Sequence, residues 1–224
     1  MMKAMGNNLK KTKNSADRTV KTETGKNAGS RTGSLRTESN IGIVEFKSIS
    51  RGFITTDEML KASKVVLVLA TTLCPGKYLT IIEGNMAAVT RSIETADRIG
   101  GRHVFSSFTV GGINSEVIEA IGGKVAAGLK DSIAIIESQH MANLISAADI
   151  SVDSADVEIA EMRLGRGCGV NSFYVITGSL SAVEEAVKNA AVFLKDAGAL
   201  IASRIIPNPD RDLLRWLEPA ICMC

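Results

Sequence analysis

Two histidines in 224 residues leave little room for a centre built on imidazole. His103 and His140 lie far apart in the chain, with no carboxylate or cysteine at metal-ligand spacing, so both read as structural or surface residues. The four cysteines, Cys74, Cys168, Cys222 and Cys224, follow no disulfide-framework spacing, which points to a reducing, intracellular setting. Long apolar runs are missing. The longest, Val65–Ala70, has the length of a strand and falls far short of the ~18 residues of a membrane helix. The first residues lack the roughly 7–15-residue apolar stretch of a secretory signal. No nucleophile–base–orienter set and no phosphate-binding glycine loop are visible, so the chain does not read as an enzyme. Positive charge is missing where a nucleic acid would need it. Residues 1–40 hold nine Lys or Arg and three acids, whereas the remainder holds 17 bases and 21 acids.

The basic first segment has few large apolar side chains and is rich in Lys, Asn, Thr, Ser and Gly. Such a stretch cannot bury enough surface to offset its ordering entropy, so residues 1–40 are expected to be a disordered basic tail. Cys222-Met223-Cys224 pairs two thiols around a thioether, a soft-metal donor set, but its place at the terminus favours a frayed end.

What the chain does have is a duplication. A shift of 92 residues places Ile43 on Ile135, Glu45 on Glu137, Asp57 on Asp149, Val65 on Val157 and Leu67 on Ile159. After a two-residue insertion, a shift of 94 places Gly84 on Gly178, Val89 on Val183 and Ala96 on Ala190. Two copies are too few for a solenoid, so the expected product is a pair of similar domains, 41–124 and 131–218. The linker Gly122–Asp131, with three Gly and two Lys, suits a domain connection.

Within the first copy, Ile41–Phe46, Val65–Ala70, Tyr78–Glu83 and His103–Val110 read as strands, and Phe53–Ser63, Met86–Ile99 and Ser115–Ile121 as helices. Val89, Ile93 and Ala96 share one helical face, as do Val183, Val187, Ala190 and Leu194 in the second copy. The order β-α-β-β-α-β predicts an α+β fold of the ferredoxin-like, split βαβ type, made twice.

The opening IGIVEFKSISRGFITTDEMLKAS, the helix start at Gly84-Asn85 with Ala88-Val89, and the ending RIIPNPD together resemble the bacterial microcompartment shell domain. Two such domains in one chain resemble the tandem-domain shell proteins, which form pseudo-hexameric homotrimers. The resemblance implies a structural tile that packs with other shell proteins around an enzyme core inside the cell. It also implies that loops between the second and third strands meet on the symmetry axis and line a pore. Those loops are Thr71–Lys77 (TTLCPGK, with Leu73, Cys74, Pro75 and Gly76) and Gly165–Ser172 (GRGCGVNS, with Arg166, Gly167 and Cys168).

The segment LCPGKYL is similar to the pore loop of the iron–sulfur class of propanediol-utilisation shell proteins. There, one cysteine from each of three subunits holds a [4Fe–4S] cluster on the axis, and the matching residue is Cys74. The chemistry is consistent, because such clusters need thiolates converging on one small volume, and one cysteine per chain achieves that only through rotational symmetry. Pro75 and Gly76 favour a tight turn that presents Cys74 at a loop tip. Cys168 lies ten residues before Gly178, as Cys74 lies ten before Gly84, which makes it an alternative or additional ligand or a bystander. Arg166 reads as a solvated loop charge or as a partner for anionic species.

The resemblance further makes Lys61 the lysine at the edge between tiles. Asp153 stands at that place in the second copy, and Pro207-Asn208-Pro209 has Asn where the family has Arg, with Arg211 as a substitute. Glu45 and Glu137 read as a strand-end feature. The expected function is that of a minor shell protein whose cluster passes electrons across the shell, with enclosed redox enzymes as partners. The rival readings are a metabolite-selective shell pore without a cluster, and a ligand-sensing regulatory trimer, since small duplicated ferredoxin-like domains also make such regulatory oligomers.

Overall fold

The computed structural model describes residues 38–126, 128–165 and 171–214. The first repeat runs β1 (Glu38–Phe46), α1 (Ile49–Ala62), β2 (Val66–Leu73), β3 (Lys77–Gly84), α2 (Met86–Gly100), β4 (Val104–Asn114) and α3 (Ser115–Ile121). The second runs β5 (Ser132–Ser138), α4 (Met141–Ser154), β6 (Val157–Arg163), β7 (Ser172–Gly178), α5 (Leu180–Asp196), β8 (Leu200–Pro207) and α6 (Arg211–Leu214). The sheets are antiparallel, with strand orders β2-β3-β1-β4 and β6-β7-β5-β8. That is the split βαβ arrangement twice over, as the order of sequence elements predicts. β1 begins at Glu38, inside the segment assigned to the tail, because Glu38 and Ser39 extend the ladder onto Asn114 and Ile113.

Alternation along β1 sends successive side chains to opposite faces of the sheet. Val44 and Phe46 pack with Met59 and Ala96 on the side of α1 and α2. Ile41 and Ile43 point the other way and join one continuous core with Leu144, Ile145 and Ala148 of α4. The first sheet is therefore apolar on both faces, one covered by its own helices and the other by the second repeat. This explains why the described residues of the two repeats form one compact unit rather than two. Val117, Ile118 and Ile121 of α3 are buried in that same core, each contributing about 1.5–3 kcal/mol of transfer free energy.

α1 starts four residues before the expected Phe53. Its buried stripe is Gly52, Thr55, Thr56 and Met59, while Phe53 and Ile54 are exposed. Gly52 is required by close approach, since a Cβ there would lie 2.4 Å from the Tyr78 ring. The buried hydroxyls of Thr56 and Thr80 satisfy each other at 2.6 Å. In the second repeat, Ser151 and Tyr174 take over this polar contact at 2.7 Å, and burial pushes the Tyr174 phenol well above its usual range.

Candidate functional site

The hairpin between β2 and β3 is closed by the pair Leu73 and Lys77, leaving Cys74, Pro75 and Gly76 as the turn. Gly76 has φ of 73°, in the left-handed region that a Cβ makes costly. Cys74 is a free, exposed thiol at the tip. The sequence expectation of a loop-tip cysteine is met, and Leu73 turns inward to the core.

Behind the turn lies a cavity of about 410 Å³. Cys74, Lys77, Glu45 and Phe105 of the first repeat face His140 and Asn143 of the second across it. Lys77 Nζ lies 3.4 Å from Glu45 Oε2 and 3.4 Å from the centroid of the Phe105 ring. A carboxylate and an aromatic face thus hold one ammonium, partly shielded from water, in the cavity that Cys74 also lines. Glu45 is more than a strand-end residue: it orients Lys77. His140 is the N-cap residue of α4, and its backbone N–H donates to Ser138 Oγ at 3.0 Å. Sequence reading set His140 aside because its approach to the Cys74 hairpin depends on how the two repeats pack. His103 closes a short helical turn before β4, and its carbonyl accepts from the Lys47 N–H at 2.8 Å.

Arg166, Gly167 and Cys168 lie outside the described residues, as do Cys222 and Cys224. The base of their loop is described: the Gly165 N–H donates to Ser172 Oγ at 2.9 Å. Among the described residues, no group of three or more His, Cys, Asp or Glu is placed to hold a metal ion. Any further donor to a metal at Cys74 therefore comes from outside the described residues of one chain.

Lys61, on the outer side of α1, is exposed and pairs with Asp57 at 2.5 Å and Glu58 at 3.6 Å. The Asp57 hydrogen bond and charge hold its ammonium above the ordinary lysine range. Its counterpart Asp153 accepts from Asn114 Nδ2 at 3.2 Å, so it is engaged at the junction between the repeats. Asn208, with φ of 47°, donates its N–H to the Asp131 carbonyl at 2.9 Å, and Arg211 opens α6.

Two four-stranded α+β domains with an exposed hairpin thiol define a tandem shell-type protein. The BMC domain model matches residues 40–113 and again 132–209, and the chain belongs to this family of bacterial microcompartment shell proteins. It is 31% identical over 177 residues to the bacterial microcompartment shell protein PduT of Citrobacter freundii, covering 79% of this chain and 96% of that one. A crystal structure of a microcompartment protein from Desulfitobacterium hafniense DCB superposes with a TM-score of 0.76 at 35% identity, covering 80% of this chain and 99% of that one. The carboxysome assembly protein CcmO of a Synechocystis strain is 26% identical over 198 residues, 82% of this chain and 66% of the relative. Among the described residues no helix is long and apolar enough to cross a membrane.

Proposed function

We propose that three copies form a ring in which three Cys74 thiolates meet on the axis and hold one [4Fe–4S] cluster. The observation that carries this reading is the exposed thiol at the tip of a three-residue turn, within the segment LCPGKYL that resembles the iron–sulfur shell proteins. The donor set fits, because a soft thiolate suits iron–sulfur chemistry and one Cys74 from each chain fits a site shared by symmetry. A bound cluster supplies one-electron transfer, which would link enclosed redox enzymes to the exterior without passage of their cofactors.

The chain's own residues prepare the site. Pro75 and Gly76 fix the turn, and the pair Leu73 and Lys77 anchors it to the sheet. Lys77, held by Glu45 and Phe105, brings positive charge to the cavity that Cys74 lines, which would offset a negatively charged cluster. Cys168 remains an additional donor under this proposal, and Lys61 a contact between tiles.

Iron and sulfide analysis with EPR of anaerobically purified chain tests this reading. Wild type and Cys168→Ser are expected to carry about four irons per three chains, the content of one such cluster. Cys74→Ser is expected to lose the iron and the EPR signal while keeping its assembly state. A wild-type trimer without iron would leave the metabolite pore as the function of the hairpin.

A further inference from the structure

The two repeats share a fold, and the space between them is lined in a way that the fold does not require. The cavity of about 410 Å³ behind the Cys74 turn has walls from both repeats. Its size falls within the roughly 300–1,000 Å³ of small-molecule sites. Much of the wall is apolar, from Phe105 and Phe108 of β4 and from Met141 and Ala142 of α4.

Three polar features face this apolar space. Lys77 brings an ammonium with three N–H donors. Its contacts with Glu45 Oε2 at 3.4 Å and with the Phe105 ring at 3.4 Å leave donor capacity over. α4 brings its N-terminus: Met141, Ala142 and Asn143 line the cavity, and no side chain caps the helix. First-turn N–H groups have no intrahelical partner and favour an anion. Ser106 brings a buried Oγ with no hydrogen-bond partner among the described residues. Buried polar atoms left in this way are rare, and each calls for a partner. Glu45 is the one acid among the described residues of the wall, and Lys77 already answers its charge.

The second repeat shows that these residues are not needed to build the sheet. Register pairs Phe46 with Tyr78 and Ser138 with Ser172, so Asn171 is the counterpart of Lys77. Glu45 pairs with Ser106 and Glu137 with Ala202, so Ala202 is the counterpart of Ser106, and Ile201 and Arg204 are those of Phe105 and Phe108. The carboxylate recurs in both copies, whereas the ammonium, the two aromatic rings and the hydroxyl occur once.

We propose that this cavity binds a small monocarboxylate with an apolar body, its carboxylate between Lys77 and the N-terminus of α4 and its body against Phe105, Phe108 and Met141. The ligand gives Lys77 a second acceptor, while Glu45 keeps the ammonium in place. A neutral molecule of the same shape forgoes the charge-assisted hydrogen bonds, and an organic cation meets Lys77 in the same space, so charge sets the specificity. Every group comes from one chain, so the inference rests neither on the trimer nor on the cluster of the proposed function.

Isothermal titration calorimetry of the full chain tests this, with benzoate and hexanoate as probes and benzyl alcohol and hexylamine as their neutral and cationic counterparts. Wild type is expected to bind a single acid per chain, and to bind the alcohol and the amine about tenfold more weakly or worse, the worth of a charge-assisted hydrogen bond. Lys77→Gln is expected to lose about the same factor for both acids, and Lys77→Arg to stay within a few-fold of wild type. Should Lys77→Gln misfold, Phe108→Ser changes a half-exposed side chain instead, and is expected to weaken hexanoate while the preference for acid over amine persists. Acids that bind no better than the alcohol, an amine that binds best, or acid binding unchanged in Lys77→Gln would overturn the site. Acid binding by a chain without iron would uphold the site while the cluster fails. An iron-loaded chain indifferent to every probe would overturn the site and leave the cluster standing.

Discussion

Gly52 shows how much a single missing side chain decides. The Tyr78 ring packs against its backbone, and an added methyl would sit 2.4 Å from Cδ1. The ring is almost wholly buried and cannot yield. Gly52→Ala is expected to lower stability by about 1–3 kcal/mol, the usual range for overpacking, read as a shift in urea midpoint with unchanged slope. Nothing in the sequence around Gly52 announces this, because Tyr78 is 26 residues away and the contact depends on α1 crossing β3. Cys74 is the opposite case. Pro75 and Gly76 state its exposure locally, so the tip was legible. Its neighbourhood was not: Lys77, Glu45, Phe105 and His140 converge only after strands from both ends of the repeat pair and the second repeat packs on.

At the level of elements, strands and long helices could be read because their apolar side chains keep a period. α2 and α5 keep theirs, with Val89 and Ala96, and Val183, Ala190 and Leu194, all buried. α1 hides its own. Its inward stripe is Gly, Thr, Thr and Met, and its large apolar residues Phe53 and Ile54 face outward. Reading apolar residues as inward placed the start of α1 four residues late. The equivalent Ile145 on α4, by contrast, is buried in the core that the first repeat joins. Helix starts follow the capping rule more plainly. Asn85 Oδ1 accepts from the Ala88 N–H at 2.9 Å. Asn85→Ala is expected to cost about 1 kcal/mol, the typical worth of an N-cap, seen as a lowered thermal midpoint with the assembly state unchanged.

For the whole molecule, duplication is the organising fact. It placed two domains, their order and their family within reach of sequence alone, since Ile43 over Ile135 and Asp57 over Asp149 need no coordinates. What sequence could not supply was the burial contrast between equivalent positions, with Phe53 and Leu67 exposed where Ile145 and Ile159 are buried. Under the proposed function, threefold rotation brings each Cys74 hairpin toward a common centre. The account stands on three thiols sharing one site. Native mass spectrometry of anaerobically purified chain tests this most directly. The account predicts a species of three times the 23.7 kDa chain mass plus a single four-iron, four-sulfide unit, with that added mass lost in Cys74→Ser. A monomer, or an added iron–sulfur mass that survives Cys74→Ser, would contradict it.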